Sequence, residues 1–113
     1  MNILDKVYSI LGDPAVKMGF MPDSPDTITC LFEYNASPVS HYFGGTDIVQ
    51  NVQVRCRGDT QKSAYSAAEN AAKKLNMYND TEVSILQSSP ILDIGRDSKL
   101  RQEYTVNFTI RRY

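Results

Sequence analysis

The run Gln102 to Arg112 alternates without a slip, with Tyr104, Val106, Phe108 and Ile110 on one side and Thr105, Asn107, Thr109 and Arg111 on the other. A period of two is the signature of a strand, and one apolar side facing one polar side means a sheet covered on a single face. A second run, Asp47 to Arg57, repeats the pattern: Ile48, Val52, Val54 and Cys56 oppose Asn51, Gln53, Arg55 and Arg57. Between the two lies a helical period. From Thr60 to Tyr78 the residues Tyr65, Ala68, Ala72 and Leu75 form an apolar stripe, with Ala64 and Ala71 beside it. Gln61, Lys62, Glu69, Lys73 and Lys74 fall largely away from that stripe and form the solvated side. Alanine on a stripe lets a helix lie close to a sheet, and Asp59 or Thr60 supplies its N-cap. Two half-apolar strands and one half-apolar helix must bury their faces against one another.

The other segments fit around this pairing. Met1 to Leu11 places Ile3, Val7 and Ile10, and Leu4, Tyr8 and Leu11, at three- and four-residue steps, a short amphipathic helix stopped by Gly12-Asp13-Pro14. Ala15 to Met21 is expected to be extended, and Pro22-Asp23-Ser24-Pro25-Asp26 to turn. Thr27 to Tyr34 is a strand with Ile28, Cys30, Phe32 and Tyr34 on one face; Leu31 interrupts the polarity of the other. Residues 35–46 are expected to be a loop, held out of regular structure by Pro38, Gly44 and Gly45. Glu82 to Gln87 and Pro90 to Gly95 add short strands before the charged turn Arg96 to Lys99. The expectation is a single domain over residues 1–113. Its class is α+β, a mostly antiparallel sheet packed by an N-terminal helix and one longer central helix.

Charge narrows the function. Twelve Lys and Arg against thirteen Asp and Glu leave −1, so no global field attracts nucleic acid. No apolar run is long enough for a membrane span, and Asp5 and Lys6 interrupt any signal-peptide core, so the chain is expected to stay in a cytoplasm. Cys30 and Cys56 lack metal spacing and lie in alternating strands, as buried free thiols do.

Catalytic signals are thin. His41 is the sole histidine, and adjacent Ser40 does not make a dyad, because sequence neighbours seldom present side chains to one another. Gly44-Gly45 lacks the lysine and strand-to-helix context of a phosphate loop. The carboxylates pair at turns (Asp23 with Asp26, Asp80 with Glu82, Asp93 with Asp97), where turn-forming and capping roles account for them. No catalytic, cofactor or metal residues are assigned. Arg55 and Arg57 share the polar side of one strand and are candidates for subunit contact, since arginine favours interfaces. Val39, Tyr42 and Phe43 are unusually apolar for a loop and are the other partner-contact candidates; their loop is expected to be mobile in a free subunit and ordered by docking.

Three stretches, in order, resemble a bacteriophage family of minor capsid proteins that act as tail terminator, or tail completion, proteins of long-tailed phages. They are GFMPDSPDTITCLFEY from Gly19 to Tyr34, VQVRCRG from Val52 to Gly58 followed by Asp59 and Ala64-Tyr65, and Tyr104-Thr105-Val106-Asn107-Phe108. The resemblance spans essentially the whole chain and carries no catalytic residues. It implies a structural virion protein of the tail and neck: a homo-oligomeric ring, typically a hexamer, capping the tail tube. Its partners would be the tail tube protein and the head completion or connector protein, with DNA passing through the lumen without sequence-specific binding. On that reading Asp23 and Asp26 form an acidic corner on the ring's surface or lumen, where carboxylates would repel phosphates. A head-closure or adaptor protein of the connector is the alternative; a small cytoplasmic ligand-binding domain or enzyme is a third.

Overall fold

A computed structural model describes residues 2–34, 40–42 and 45–113, with backbone alone for 40–42 and 45–47. The element order is α1 (Ile3–Leu11), β1 (Lys17–Met18), β2 (Ile28–Tyr34), β3 (Ser40–Tyr42), β4 (Gly45–Gly58), α2 (Gln61–Leu75), β5 (Val83–Gln87), β6 (Leu92–Arg96) and β7 (Gln102–Arg112). The two alternating runs are the centre of the sheet: β4 and β7 pair antiparallel from Ile48↔Arg112 to Gly58↔Gln102. Around them the order is β1-β2-β4-β7-β5, and β6 pairs with the other half of the β7 edge. Among the described residues only β1 and β2 run parallel. The result is the expected α+β class, a mostly antiparallel sheet with two helices.

Local chemistry sets both helices. Asn2 Oδ1 accepts from Leu4 N–H at 2.9 Å to start α1, and Gly12 ends it at φ 68, a left-handed position that glycine occupies without strain. Thr60 opens α2 with a reciprocal cap: its Oγ1 accepts from Ser63 N–H at 3.1 Å while Ser63 Oγ accepts from Thr60 N–H at 3.3 Å. Gly58 makes the sharp entry possible. A Cβ there would lie 2.7 Å from the Ala64 backbone nitrogen.

Both helices cover one face of the sheet. The core under them holds Ile3, Val7 and Leu11 of α1, and Ala64, Ala68, Ala71, Ala72 and Leu75 of α2. The strands contribute Leu31, Val52, Val54, Cys56, Val83, Ile85, Tyr104, Val106, Phe108 and Ile110. The buried side of β4 and β7 is thus the side their alternation marks.

Three expectations need correction. In β2 the register pairs Leu31 with Val54 and Thr29 with Cys56, so Leu31 faces the helices. Ile28, Cys30, Phe32 and Tyr34 lie on the opposite side, in step with Arg57, Arg55, Gln53 and Asn51. A strand's face is set by its neighbour's register and not by its own majority of apolar side chains. Second, α2 stops at Leu75 rather than Tyr78, because Met77 turns to φ 64 and the following backbone pairs with β5. Tyr65 is 42% exposed and packs edge-on against Tyr104, with centroids 5.4 Å apart, instead of joining the core. Third, the expected loop is partly a hairpin. Ser40–Tyr42 pairs antiparallel with Gly45 to Asp47; Val39 and Phe43 lie outside the described residues.

The two cysteines are buried and free. Cys56 sits opposite Thr29, so Cys30, the next residue, projects from the other face and the two thiols cannot meet. Burial raises both thiols, Cys56 to about 11.

Candidate functional site

The uncovered face of the sheet is the main surface left for function. From β2 it presents Phe32 and Tyr34, from β4 Val49, Asn51, Gln53 and Arg55, from β7 Glu103, Thr105, Asn107, Thr109 and Arg111, and from β5 Ser84 and Leu86. Down its centre the polar groups satisfy one another across the ladder: Gln53 Nε2 donates to Asn107 Oδ1 at 3.2 Å, and Thr109 Oγ1 to Asn51 Oδ1 at 3.2 Å. Arg55 lies over the Phe32 ring, 5.8 Å from its centroid, with Nε 3.9 Å from Glu103 Oε1. That Nε is shielded from solvent and makes no hydrogen bond. A groove of about 200 Å³ opens between Val49, Ser84, Leu86, Thr109 and Arg111, and its Leu86 is 60% exposed. A second cleft, about 210 Å³, lies between the end of α1 and α2, by Val16, Thr29 and Lys74.

One end of the open face is closed by the Pro-Asp corner. Arg57 points from β4 into that turn and is 3% exposed. Its Nη2 donates to the carbonyls of Pro22 and Pro25 at 2.7 Å each and of Asp23 at 3.2 Å, and its Nε donates to the carbonyl of Asp26 at 3.0 Å. Arg57 is therefore a structural clamp within the subunit, its guanidinium spent on the turn. The Ser24–Pro25 bond within the turn is cis.

Arg101, 7% exposed, grips the corner from the position just before β7. Its Nη2 meets Asp23 Oδ1 at 3.0 Å, its Nη1 meets Asp26 Oδ1 at 3.2 Å and also takes the Asp23 carbonyl, and its Nε donates to Asp97 Oδ2 at 2.8 Å. Lys99 pairs with Asp23 as well. Asp23 and Asp26 are thus ion-paired side chains on an exposed corner, so the free acidic corner expected from sequence carries balanced charge. The ammonium of Lys99, then the Arg101 guanidinium, holds the Asp23 carboxyl below the usual range. Asp97 is lowered chiefly by its bond from the Arg101 backbone N–H. These bonds, led by the one to Asp97, push Arg101 further up. Sequence reasoning missed Arg101; its one signal was the four-residue spacing from Asp97 across a charged turn.

Among the described residues the outer strands β1, β5 and β6 are blunted. β1 is two residues long, and β6 carries a bulge between Asp93 and Gly95. The outer side of β5 is paired by the chain after α2, through Met77 N–H to Ile85 O at 2.9 Å and Ile85 N–H to Tyr78 O at 2.8 Å. Asp80 fixes that segment by accepting from the backbone of Glu82 and Val83 at 2.7 and 2.9 Å and from Lys6 Nζ at 2.7 Å. The Lys6 bond leads in lowering Asp80, and Lys6 itself is pushed up to about 12, first by Asp80. His41 lies on β3, and its side chain is outside the described residues. Among the described residues no three His, Cys, Asp or Glu gather as a metal would require, and no helix is long and apolar enough to cross a membrane.

These features define a two-layer α+β domain with one covered and one open sheet face. The family model for bacteriophage tail terminator proteins matches residues 8–113, and the chain belongs to that family. It is therefore a structural component of a phage virion's tail rather than an enzyme. A chain from the structure titled "Virion of native gene transfer agent (GTA) particle" shares the fold at 13% identity, with a TM-score of 0.64 over 94% of this chain and 83% of that one. A comparison with curated protein sequences finds no match.

Proposed function

We propose that this chain assembles into a ring, of six subunits by the family resemblance, that caps the tail tube, stops its growth and joins it to the head connector. The family match over residues 8–113 carries this reading. The fold supports it: a sheet with short or bulged outer strands β1 and β6 and one open face is suited to docking by that face. Partners would be the tail tube protein below and the head completion protein above, with DNA passing through the lumen. If the Pro22–Asp26 corner faces that lumen, its carboxylates meet phosphate already paired with Arg101 and Lys99, adding little field of either sign. Arg55 remains a partner-contact candidate, as do Val39, Tyr42 and Phe43.

Negative-stain imaging of tail tubes polymerised with and without the purified chain tests the reading. Tubes of uniform length bearing a ring at one end are expected. Tubes that grow unchecked and uncapped in its presence would overturn it.

A further inference from the structure

From the turn between β6 and β7 we infer that Leu100 is a preformed anchor for an apolar pocket at the end of the tail tube. The inference rests on the reading of this chain as a tube cap and names a side chain that makes the contact.

Leu100 carries two costs with no return inside its own chain. Its φ is 62, a left-handed position that a residue with a Cβ occupies only at a cost, and its side chain is 69% exposed. Left-handed positions in hairpin turns favour glycine or asparagine, and the chain does use glycine at three others, Gly12, Gly19 and Gly95. Met77 is the one other non-glycine residue with positive φ among the described residues, but it follows the C-cap of α2, where helices commonly end left-handed. No helix end accounts for Leu100. Backbone strain kept at an exposed apolar residue points to a use for its side chain outside the subunit.

The turn holds that side chain in one place. Leu100 N–H donates to the Asp97 carbonyl at 2.9 Å, and Asp97 N–H donates to the Arg101 carbonyl at 3.0 Å. Asp97 Oδ1 accepts from the N–H groups of Lys99 and Arg101 at 2.9 Å each, and Arg96 Nη1 donates to the Leu100 carbonyl at 3.1 Å. Lys99 and Arg101 pair in turn with Asp23. An anchor braced on both sides loses little freedom on docking. A cap needs that advantage, because it competes with incoming tube subunits for the end of the tube.

The surroundings define the partner's chemistry. Arg96, Lys99 and Arg101 stand against Asp23, Asp26 and Asp97, and all of these but Arg96 are tied into ion pairs. Such a balanced collar matches a pocket that is apolar inside and carries no net charge at its rim. Leu100 also lies beyond Gly58↔Gln102, where the β4–β7 ladder stops. It is therefore presented to a protein meeting the end of the sheet rather than to one lying along either face.

Tail tubes polymerised from the tail tube protein with a dilution series of the chain test this, using Leu100→Gly, Leu100→Met and Met77→Gly. Each variant is first melted, and its assembly state is measured by sedimentation velocity. Leu100→Gly relieves the backbone and removes the anchor. It is expected to melt at or above the wild-type temperature yet to need about tenfold more chain to cap half the tubes, the effect of losing one buried leucine. Leu100→Met keeps an apolar side chain and should cap within about twofold of wild type. Met77→Gly gives the same relief elsewhere and should cap as the wild-type chain does. Leu100→Gly capping as well as wild type overturns the inference and spares the ring reading. A marked drop in its melting also overturns it, since the side chain would then serve its own fold. Loss of the variant's assembly state would place Leu100 between copies, and normally capped tubes that fail to join heads would place it against the connector; either result overturns the tube assignment. A wild-type chain that leaves tubes uncapped overturns both readings.

Discussion

The two faces of β4 and β7 are built from alternate residues of the same backbone, yet different forces hold them. On the covered face Val52, Val54, Val106, Phe108 and Ile110 are closed under α2 and gain from leaving water. On the open face Asn51, Gln53, Asn107 and Thr109 bond to one another and stay partly wet. Net hydrogen-bond gains between such half-exposed groups are small. The covered face therefore determines whether the subunit folds, and the open face is available for what the subunit meets. The Arg57 clamp breaks this division, because it is an open-face residue buried as deeply as the core.

The largest effect should come from the covered face. Phe108→Ala should destabilise by about 3–5 kcal/mol in urea unfolding, as truncation of a fully buried aromatic does. Its open-face neighbour Asn107→Ala should lose about 1 kcal/mol or less. Equal losses would erase the distinction between faces.

Next comes the exception. Arg57→Met keeps the stem and removes the guanidinium from four turn carbonyls, and should destabilise by about 2–3 kcal/mol, since bonds to charged donors are the stronger ones. A value like that of Asn107→Ala would mean that the corner holds itself.

Acid should act on the corner before the core. Asp23 and Asp97 titrate lower in the folded chain than in the unfolded one. Their stabilisation is therefore fully present above the unfolded carboxylate value of about 4 and is lost as pH falls through the lower folded values. Melting temperature against pH should slope downward below about pH 4, and Asp97→Asn should flatten that slope. Asp80 acts with the same sign at the other end of the sheet, so some slope should remain.

A smaller shift is expected in the hairpin. Changing Tyr42 and Phe43 together to Ser should leave the subunit's melting temperature nearly unchanged while blocking the joining of tails to heads. A marked drop in melting would instead tie these residues to the subunit's own core.

The covered face was legible because hydrophobic burial leaves a period in the sequence: two in β4 and β7, near 3.6 in α2. Leu31 was misread for a physical reason. Ile28 and Cys30 are also buried, on the far side beside Arg57 and Arg55, and only the pairing with β4 shows which side carries the helices. Tyr65 was misread because a tyrosine on the apolar stripe can lean across the helix edge and still pack, as it does on Tyr104. The clamp was hidden most deeply. Arg57 and Arg101 bind a turn more than thirty and seventy residues away in sequence, largely through backbone carbonyls, which have no residue identity to read.

Tail capping by Leu86→Arg tests most directly that the open face serves assembly and not folding. Leu86 is exposed beside the groove, so the variant's melting temperature should stay within about 2 °C of wild type, as surface changes of about 0.5 kcal/mol or less allow. The fraction of tail tubes it caps at fixed concentration should fall at least tenfold. Tubes capped as efficiently as by the wild-type chain would contradict the assignment of the open face to assembly.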